Sequence, residues 1–311
     1  MDRLTSMQAF VTVVDSGGFS AAAERLPISR AGVSKHISML ETRLGVRLLN
    51  RTTRQISLTE AGQTYYQRCV QILEDIADSE CVVTGLTAEP HGSLRINAPM
   101  SFGRQHLAPL LSRFRTRFPQ VDIDLDLNDR RVDLVREGAD LALRIGRLED
   151  SSLIARRLFD SHFVVCASPE YLAQHGQPQT PEQLRDHKCL VYGNLTDPAR
   201  WVARDVNDVE HAVDVNISLT ATSGDLLSQL AANNMGIVIQ PTFIAGDLIK
   251  SGELVPILTD YQWPAVPAYA VYPPTRHLSF RVRTFIDFLV ATFAGTPYWD
   301  EDCEVLSAKH S

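Results

Sequence analysis

The sequence predicts an α/β protein in three parts: a small all-α head, a long connecting helix, and a two-lobed α/β domain that fills most of the chain. Three observations lead there. Apolar residues recur at three- and four-residue spacings through residues 1–58. One amphipathic stretch then runs to about residue 88, where Pro90 and Gly92 end it. From Ser93 onward, short β-branched runs alternate with helical patterns.

A chain of 311 residues suits one small domain followed by a bilobed one. With 44% hydrophobic and 22% charged residues, disorder is expected only in the last dozen positions. The net charge of −7 conceals an asymmetry: residues 1–66 carry eight Lys/Arg against five acids, the remainder 22 against 32. A basic head on an acidic body can track phosphates through the face it presents. The start has no secretory pattern and no run of 18 apolar residues follows, so a cytoplasmic location without membrane contact is expected. The five cysteines are scattered without a Cys-x-x-Cys pair, which argues against zinc and suits a reducing compartment. Nucleophile-elbow, phosphate-loop and zinc-protease motifs are missing and the nine histidines are dispersed, so neither an enzyme nor a cofactor is expected.

In the head, Leu4, Met7, Phe10, Val11 and Val14 form the stripe of a first helix, stopped by Gly17-Gly18. Ser20 is placed to cap a short second helix over 21–26, whose three alanines permit close packing. Pro27-Ile28 turns the chain. Ser29 is the expected N-cap of a third helix, with Val33, Ile37, Leu40 and Leu44 on its inner side and Arg30, Ser34, Lys35 and Ser38 on the other. Two helices joined by a tight turn, the second offering cationic and hydroxyl groups, form the geometry that lays a recognition helix in a major groove. Gly45 ends that helix, and Arg51-Thr52-Thr53-Arg54 before Ile56 and Leu58 reads as a β-wing with a basic tip.

The run Phe19-Ser20-Ala21-Ala22-Ala23-Glu24-Arg25-Leu26, then Ser29-Arg30-Ala31-Gly32-Val33-Ser34-Lys35-His36-Ile37, Arg51-Thr52-Thr53-Arg54 and Leu58-Thr59-Glu60-Ala61-Gly62, resembles the winged helix-turn-helix of LysR-type transcriptional regulators. The resemblance implies that Ser29, Arg30, Ser34, Lys35 and His36 meet base edges or adjacent phosphates of double-stranded DNA, while Arg51, Thr52 and Arg54 grip the backbone. Arg30 stands where many members carry Gln, and an Arg there favours guanine O6/N7 over adenine.

Residues 59–89 form the expected linker and dimerisation helix, capped by Thr59 and roughly 45 Å long at ~1.5 Å per residue. Cys69, Ile76 and Val83 repeat every seven residues, as do Ile72, Ser79 and Leu86, a short coiled-coil seam imperfect at Ser79. Its single apolar stripe needs cover from a second copy or from the chain's own C-terminal domain. The resemblance implies the former: a homodimer that reads an interrupted inverted repeat, two of which join into a homotetramer. RNA polymerase is a candidate further partner.

In the C-terminal domain, strands are expected at 94–98, 121–127, 141–145, 163–167, 189–192, 213–219, 237–239 and 268–272, with helices at 102–118, 132–137, 169–174, 223–233 and 279–293. The alternation implies parallel sheets covered by helices. Two such lobes joined by crossing strands resemble the periplasmic-binding-protein-like sensor of the LysR-type family, as do Arg144-Ile145-Gly146-Arg147-Leu148, Ser168-Pro169-Glu170-Tyr171-Leu172 and Asn234-Met235-Gly236-Ile237. The expected division is an effector-binding domain at 92–295, with lobe I at 92–167 and 268–295, lobe II at 168–267, and a tail at 296–311.

Ligands of open α/β lobes sit beyond the carboxyl ends of strands, where helix N-termini offer free N–H groups. That rule selects Pro99, Met100, Ser101, Phe102, Asn128, Gly146, Arg147, Thr220, Thr222, Gln240 and Pro241. Ser101 and Thr222, one from each lobe, are the principal candidates, each placed to cap a helix and donate to an anion; a plain N-cap is the alternative for each. Trp201 and Phe102 are candidates for an apolar wall or for core. The hypothesis is a small-molecule effector, with a carboxylate as the candidate class. A cysteine-based redox sensor of the same family is the alternative function, using Cys166 and Cys189 if their Cα atoms lie within about 7 Å.

Overall fold

The computed structural model describes residues 2–51, 56–84, 89–130, 134–148, 152–274 and 278–301, and its two compact units divide between Gly92 and Ser93. In the first unit, α1 (Arg3–Asp15), α2 (Phe19–Arg25) and α3 (Arg30–Leu44) close around Phe10, Val13, Ala22, Val33, Ile37 and Leu40. β1 (Leu49–Arg51) and β2 (Ile56–Leu58) pair antiparallel with Leu49 opposite Leu58, and α4 (Glu60–Thr84) follows.

Local chemistry sets these boundaries. Ser29 Oγ accepts from Gly32 N at 3.2 Å and starts α3. Gly45 ends it at φ 70°, a left-handed conformation that glycine enters without steric cost. Thr59 Oγ1 accepts from Gly62 N at 2.9 Å and donates to the Arg47 carbonyl at 2.7 Å, so one hydroxyl caps α4 and ties it to the chain before β1. α2 starts two residues early, because Gly18 takes the N-cap position and Ser20 lies inside the helix. Leu4 and Leu44, expected in the core, sit at helix ends and are exposed.

The first turns of α4 belong to the head core. Tyr65, Tyr66, Val70 and Leu73 pack on it, with the Tyr65 and Tyr66 rings 5.9 and 6.4 Å from Phe10. Cys69 is fully buried there, which removes it from the expected seam, whereas Ile72 is exposed. The side chains of Ser79 and Val83 lie outside the described set, as does Leu86.

The second unit runs through β3 (Gly92–Ala98), then α5 (Met100–Phe102), which continues through a π-turn at Gly103–Leu107 into α6 (Ala108–Arg117). β4 (Val121–Leu127), α7 (Leu134–Glu137), β5 (Leu141–Ile145) and β6 (Ile154–Ser161) complete the first part of lobe I. Lobe II comprises β7 (Phe163–Ala167), α8 (Pro169–His175), β8 (Cys189–Tyr192), β9 (Arg200–Arg204), β10 (Glu210–Asp214), β11 (Ile217–Ala221), α9 (Gly224–Ala232), β12 (Ile237–Pro241), α10 (Thr242–Lys250) and β13 (Val255–Ile257). The chain returns through β14 (Val266–Tyr272), α11 (Phe280–Thr292) and α12 (Tyr298–Glu301).

Each lobe has a five-stranded sheet, in the order β4-β3-β5-β14-β6 for lobe I and β11-β8-β12-β7-β13 for lobe II; β9 and β10 form a separate ribbon. The sheets are mixed, not parallel as expected. β3 runs parallel to β5, and β8 parallel to β11 and β12, but β14 opposes β5 and β6 while β7 opposes β12 and β13. The reversed strand in each sheet is the first after a crossing between lobes. Because β7 pairs within the lobe II sheet, that crossing falls at His162, ahead of the expected boundary at 167.

The expected tail begins with packed structure. Trp299 on α12 is 4% exposed, its ring lying among Phe102, His106, Phe159, Phe243 and Phe293 at centroid distances of 4.4 to 6.2 Å. Among the described residues no helix is long and apolar enough to cross a membrane, and no group of three His, Cys, Asp or Glu residues is placed to hold a metal.

Candidate DNA interface and effector cleft

On α3 the buried residues Val33, His36, Ile37 and Leu40 face the head core, while Ser29, Arg30 and Lys35 are exposed and Ser34 half-buried. The helix therefore presents hydroxyl and cationic groups from its first two turns on the side away from its packing contacts. His36 is a correction: it is only 5% exposed and its Nδ1 lies 2.9 Å from Ser6 Oγ on α1. It falls one turn after Val33 and one before Leu40, so the helical period turns it inward. The pairing of β1 with β2 gives the wing its two strands. Thr52 and Arg54 lie outside the described residues, as does the side chain of Arg51.

Glu41 anchors the wing to α3. Its Oε1 accepts from Leu48 N at 2.9 Å and Leu49 N at 3.2 Å, satisfying two donors at the entrance to β1. Gly62 permits the return contact, since a Cβ at that position would lie 1.9 Å from the Leu48 carbonyl oxygen.

In the second unit, Pro99 is the N-cap residue of α5 and lacks a capping side chain. Met100 N instead donates to Asp129 Oδ1 at 3.0 Å. Ser101 follows, 6% exposed, and across from it lies Gly224, the first residue of α9. A Cβ on Gly224 would stand 3.1 Å from Gln240 Oε1 and 3.8 Å from Ser101 Oγ, so the two lobes meet closely at this glycine. Gln240 Nε2 donates to the Gly224 carbonyl at 3.2 Å.

The π-turn supplies further ties between the lobes. Gln105 Nε2 donates to Asp225 Oδ1 at 2.7 Å, Arg104 Nη1 lies 3.5 Å from Asp225 Oδ2, and His106 Nε2 lies 2.8 Å from the Phe243 carbonyl. A π-turn adds a residue to one helical turn and so re-aims the side chains it carries.

The remaining candidates divide. Asn128 sits at the strand end beside Asp126, with its backbone N donating to the Ala98 carbonyl at 3.0 Å; Asp126 also accepts from Asn97 Nδ2 at 2.7 Å. Gly146 adopts φ 126° and donates its N–H to the Pro267 carbonyl at 2.9 Å, while Arg147 beside it is exposed. Thr220 and Thr222 are exposed at the end of β11, where a Cβ on Gly193 would meet their methyl carbons at 2.9 and 3.7 Å. Thr222 is not the cap of α9: Ser223 is, accepting from Leu226 N at 3.3 Å. Pro241 is the N-cap residue of α10. Phe102 and Trp201 are core, the first in the aromatic cluster around Trp299, the second 4% exposed in the lobe II core with Tyr171, Leu184 and Val213.

The sequence reading missed Asp129, Tyr192, Gly224 and Asp225. An acid just past a strand end, opposite a helix N-terminus, was the signal for Asp129. Acid in the first turn of the helix after Ser223 was the signal for Asp225.

Cys166 and Cys189 are not a disulfide pair. Cys166 lies on β7 and Cys189 on β8, with β12 between them, which separates them by about 10 Å at ~4.8 Å per strand. They also belong to different core clusters. Burial pushes each thiol up to about 12, far from thiolate chemistry.

Two family models account for this arrangement. That of the bacterial regulatory helix-turn-helix protein, lysR family, matches residues 4–63, and that of the LysR substrate binding domain matches residues 87–294. The chain is 40% identical over 282 residues to an HTH-type transcriptional regulator of Haemophilus influenzae, covering 91% of this chain and 98% of that one. It is 39% identical over 285 residues to the regulator CrgA of Neisseria meningitidis, covering 91% and 95%. Among solved structures, CrgA from Neisseria meningitidis is similar at TM-score 0.61 and 38% identity, over 94% of this chain and 99% of that one. The Vibrio cholerae virulence activator AphB is similar at TM-score 0.58 and 28% identity, over 94% and 100%. With a helix-turn-helix head and a two-lobed substrate-binding domain in one chain, the protein belongs to the LysR family of bacterial transcriptional regulators.

Proposed function

We propose that this regulator reads an interrupted inverted-repeat operator through Ser29, Arg30, Ser34 and Lys35, with Arg51, Thr52 and Arg54 on the backbone, and that a small-molecule effector bound between lobes I and II controls it. The observation that carries the first part is the division of α3 into a buried face and an exposed cationic face. Phosphate contacts set position and base contacts set sequence. The second part is supported by the meeting of Ser101 with Gly224 and Gln240, where elements of the two lobes converge.

The working unit is a cytoplasmic homodimer paired through the later turns of α4, where Ile72 is exposed and Ile76 half-buried, with two dimers joining into a tetramer. The effector acts by binding one arrangement of the lobes better than another, since only differential affinity shifts such an equilibrium. RNA polymerase is the partner through which bound regulator changes transcription. Redox sensing by Cys166 and Cys189 is not favoured, given their separation and burial.

Footprinting of the full-length protein on its own upstream region, with and without a metabolite extract, tests both parts. Salt-sensitive protection of two half-sites, altered by the extract, is expected. Lack of salt-sensitive affinity for any duplex would sink the DNA reading, and indifference to every extract would sink the effector reading.

A further inference from the structure

The start of α5 already holds an anion of the protein's own. Asp129 Oδ1 takes the Met100 N–H, at the start of a helical run that continues from α5 through the π-turn to Arg117. Free N–H groups and the helix dipole favour negative charge there. Ser101, one residue on and 6% exposed, makes no side-chain hydrogen bond among the described residues, and its Oγ lies toward Gly224 of lobe II. Asp129 thus satisfies one of two adjacent donors and leaves the other without an acceptor.

The charge of Asp129 is also felt in the other lobe. The Tyr192 phenol at the end of β8 is pushed up, first by burial and, more weakly, by the charge of Asp129, while the Asn194 amide at 3.1 Å acts in the opposite sense. Asp225 at the start of α9 is a different case, since Gln105 and Arg104 hold it as a tie between lobes.

Resting on the effector reading above, we propose that Asp129 is a placeholder: a small carboxylate effector displaces it from the Met100 N–H and gives its second oxygen to the Ser101 hydroxyl. A carboxylate has two oxygens to share between two donors, which the geometry of Asp129 does not achieve. Displacement frees Asp129 from the Met100 N–H, so occupancy of the site shifts the charge that Tyr192 of the other lobe feels. While Asp129 holds the position, only the fraction of molecules in which it has swung away can bind, and apparent affinity falls by that fraction.

The test melts full-length protein in acetate, malonate and succinate, and in the matching neutral amides, at constant ionic strength. Asp129→Ala is expected to reach its half-maximal rise in Tm with at least one acid at a concentration at least tenfold below wild type, with no such gain for the amides. Asp129→Asn keeps an oxygen for the Met100 N–H without the charge, preserves the fold, and falls between the two. Adding Ser101→Ala to Asp129→Ala abolishes the gain. Equal half-points in all variants, silence toward every acid, an equal gain with amides, or a gain that survives Ser101→Ala overturns the proposal. Failure of the underlying reading looks different: a metabolite extract would then leave the wild-type promoter footprint unchanged. An extract that alters the footprint, while acids act alike on every variant, removes only the displacement.

Discussion

The indole of Trp299 lies 4.4 Å, centroid to centroid, from the imidazole of His106, although 193 positions separate them in the chain. The contact brings α12 against the π-turn of lobe I, and the same indole meets Phe243 of lobe II. A segment expected to be tail thereby bridges both lobes, seconded by Asp300, whose Oδ2 lies 3.2 Å from Nδ1 of His162 at the crossing. Trp299→Ala removes a buried ring from among six others and is expected to cost about 3–5 kcal/mol. Urea denaturation of the full chain would read this as a lower midpoint for the sensor transition.

Acid should loosen the same junction. Burial pulls His106 below its ordinary value of 6.5, while the Phe243 carbonyl and the charges of Asp247, Asp225 and Asp300 act in the opposite sense; Tyr298 Oη lies 2.5 Å from Nδ1. A lowered histidine value means that the unfolded chain takes up the proton first. The stabilisation is therefore present above 6.5 and lost as pH falls through the lower folded-state value. Melting curves between pH 8 and 5 should show a falling sensor Tm, flattened in His106→Gln. A wild-type Tm insensitive to pH would contradict it.

On DNA, Arg30→Ala is expected to cost about 1–3 kcal/mol on the operator and little on random sequence, as loss of a base contact does. Arg54→Ala should weaken both alike and reduce the salt slope by about one. Fluorescence anisotropy over a salt series separates the two, and equal losses for Arg30→Ala on both duplexes would remove it from base reading.

Cys166 and Cys189 should resist alkylation and mild peroxide in the folded protein, because burial pushes both thiols up to about 12 and β12 separates them. Mass spectrometry after iodoacetamide labelling, native against denatured, is the check; labelling of either residue at native rates comparable to the denatured chain would refute it.

Gly62→Ala should destabilise the head by about 1–3 kcal/mol, the usual cost of overpacking, since the added methyl meets the Leu48 carbonyl. A head transition unchanged in calorimetry would mean that α4 and Leu48 move apart freely.

The elements that could be read from the sequence were those with a strong period or a cap. Strands β4, β5, β7 and β8 fell on their expected residues, and Ser29 and Thr59 start helices and Gly45 ends one as their chemistry dictates. β6 was missed because Arg156, Arg157 and Asp160 interrupt its apolar alternation, and the polar residues of β9 and β10 hid their ribbon. Strand direction was not legible at all, since reversal of β7 and β14 follows from the lobe crossings and not from any residue pattern. At the candidate site, helix N-termini located Met100 and Ser101, but the partner that fills that end, Asp129, depends on tertiary proximity. For His36 the family pattern points to DNA, while its place on the 33–36–40 stripe turns it into the head core.

Glu41 uses one oxygen to fasten both Leu48 and Leu49, and it stands nearly two helical turns beyond Lys35. Arg30, Ser34 and Lys35, by contrast, make no side-chain hydrogen bond among the described residues. On the proposed DNA reading, the helix's rigidity and its vocabulary thus reside in different positions. Substitution can retarget such a regulator to new promoters without disturbing the scaffold that aims it.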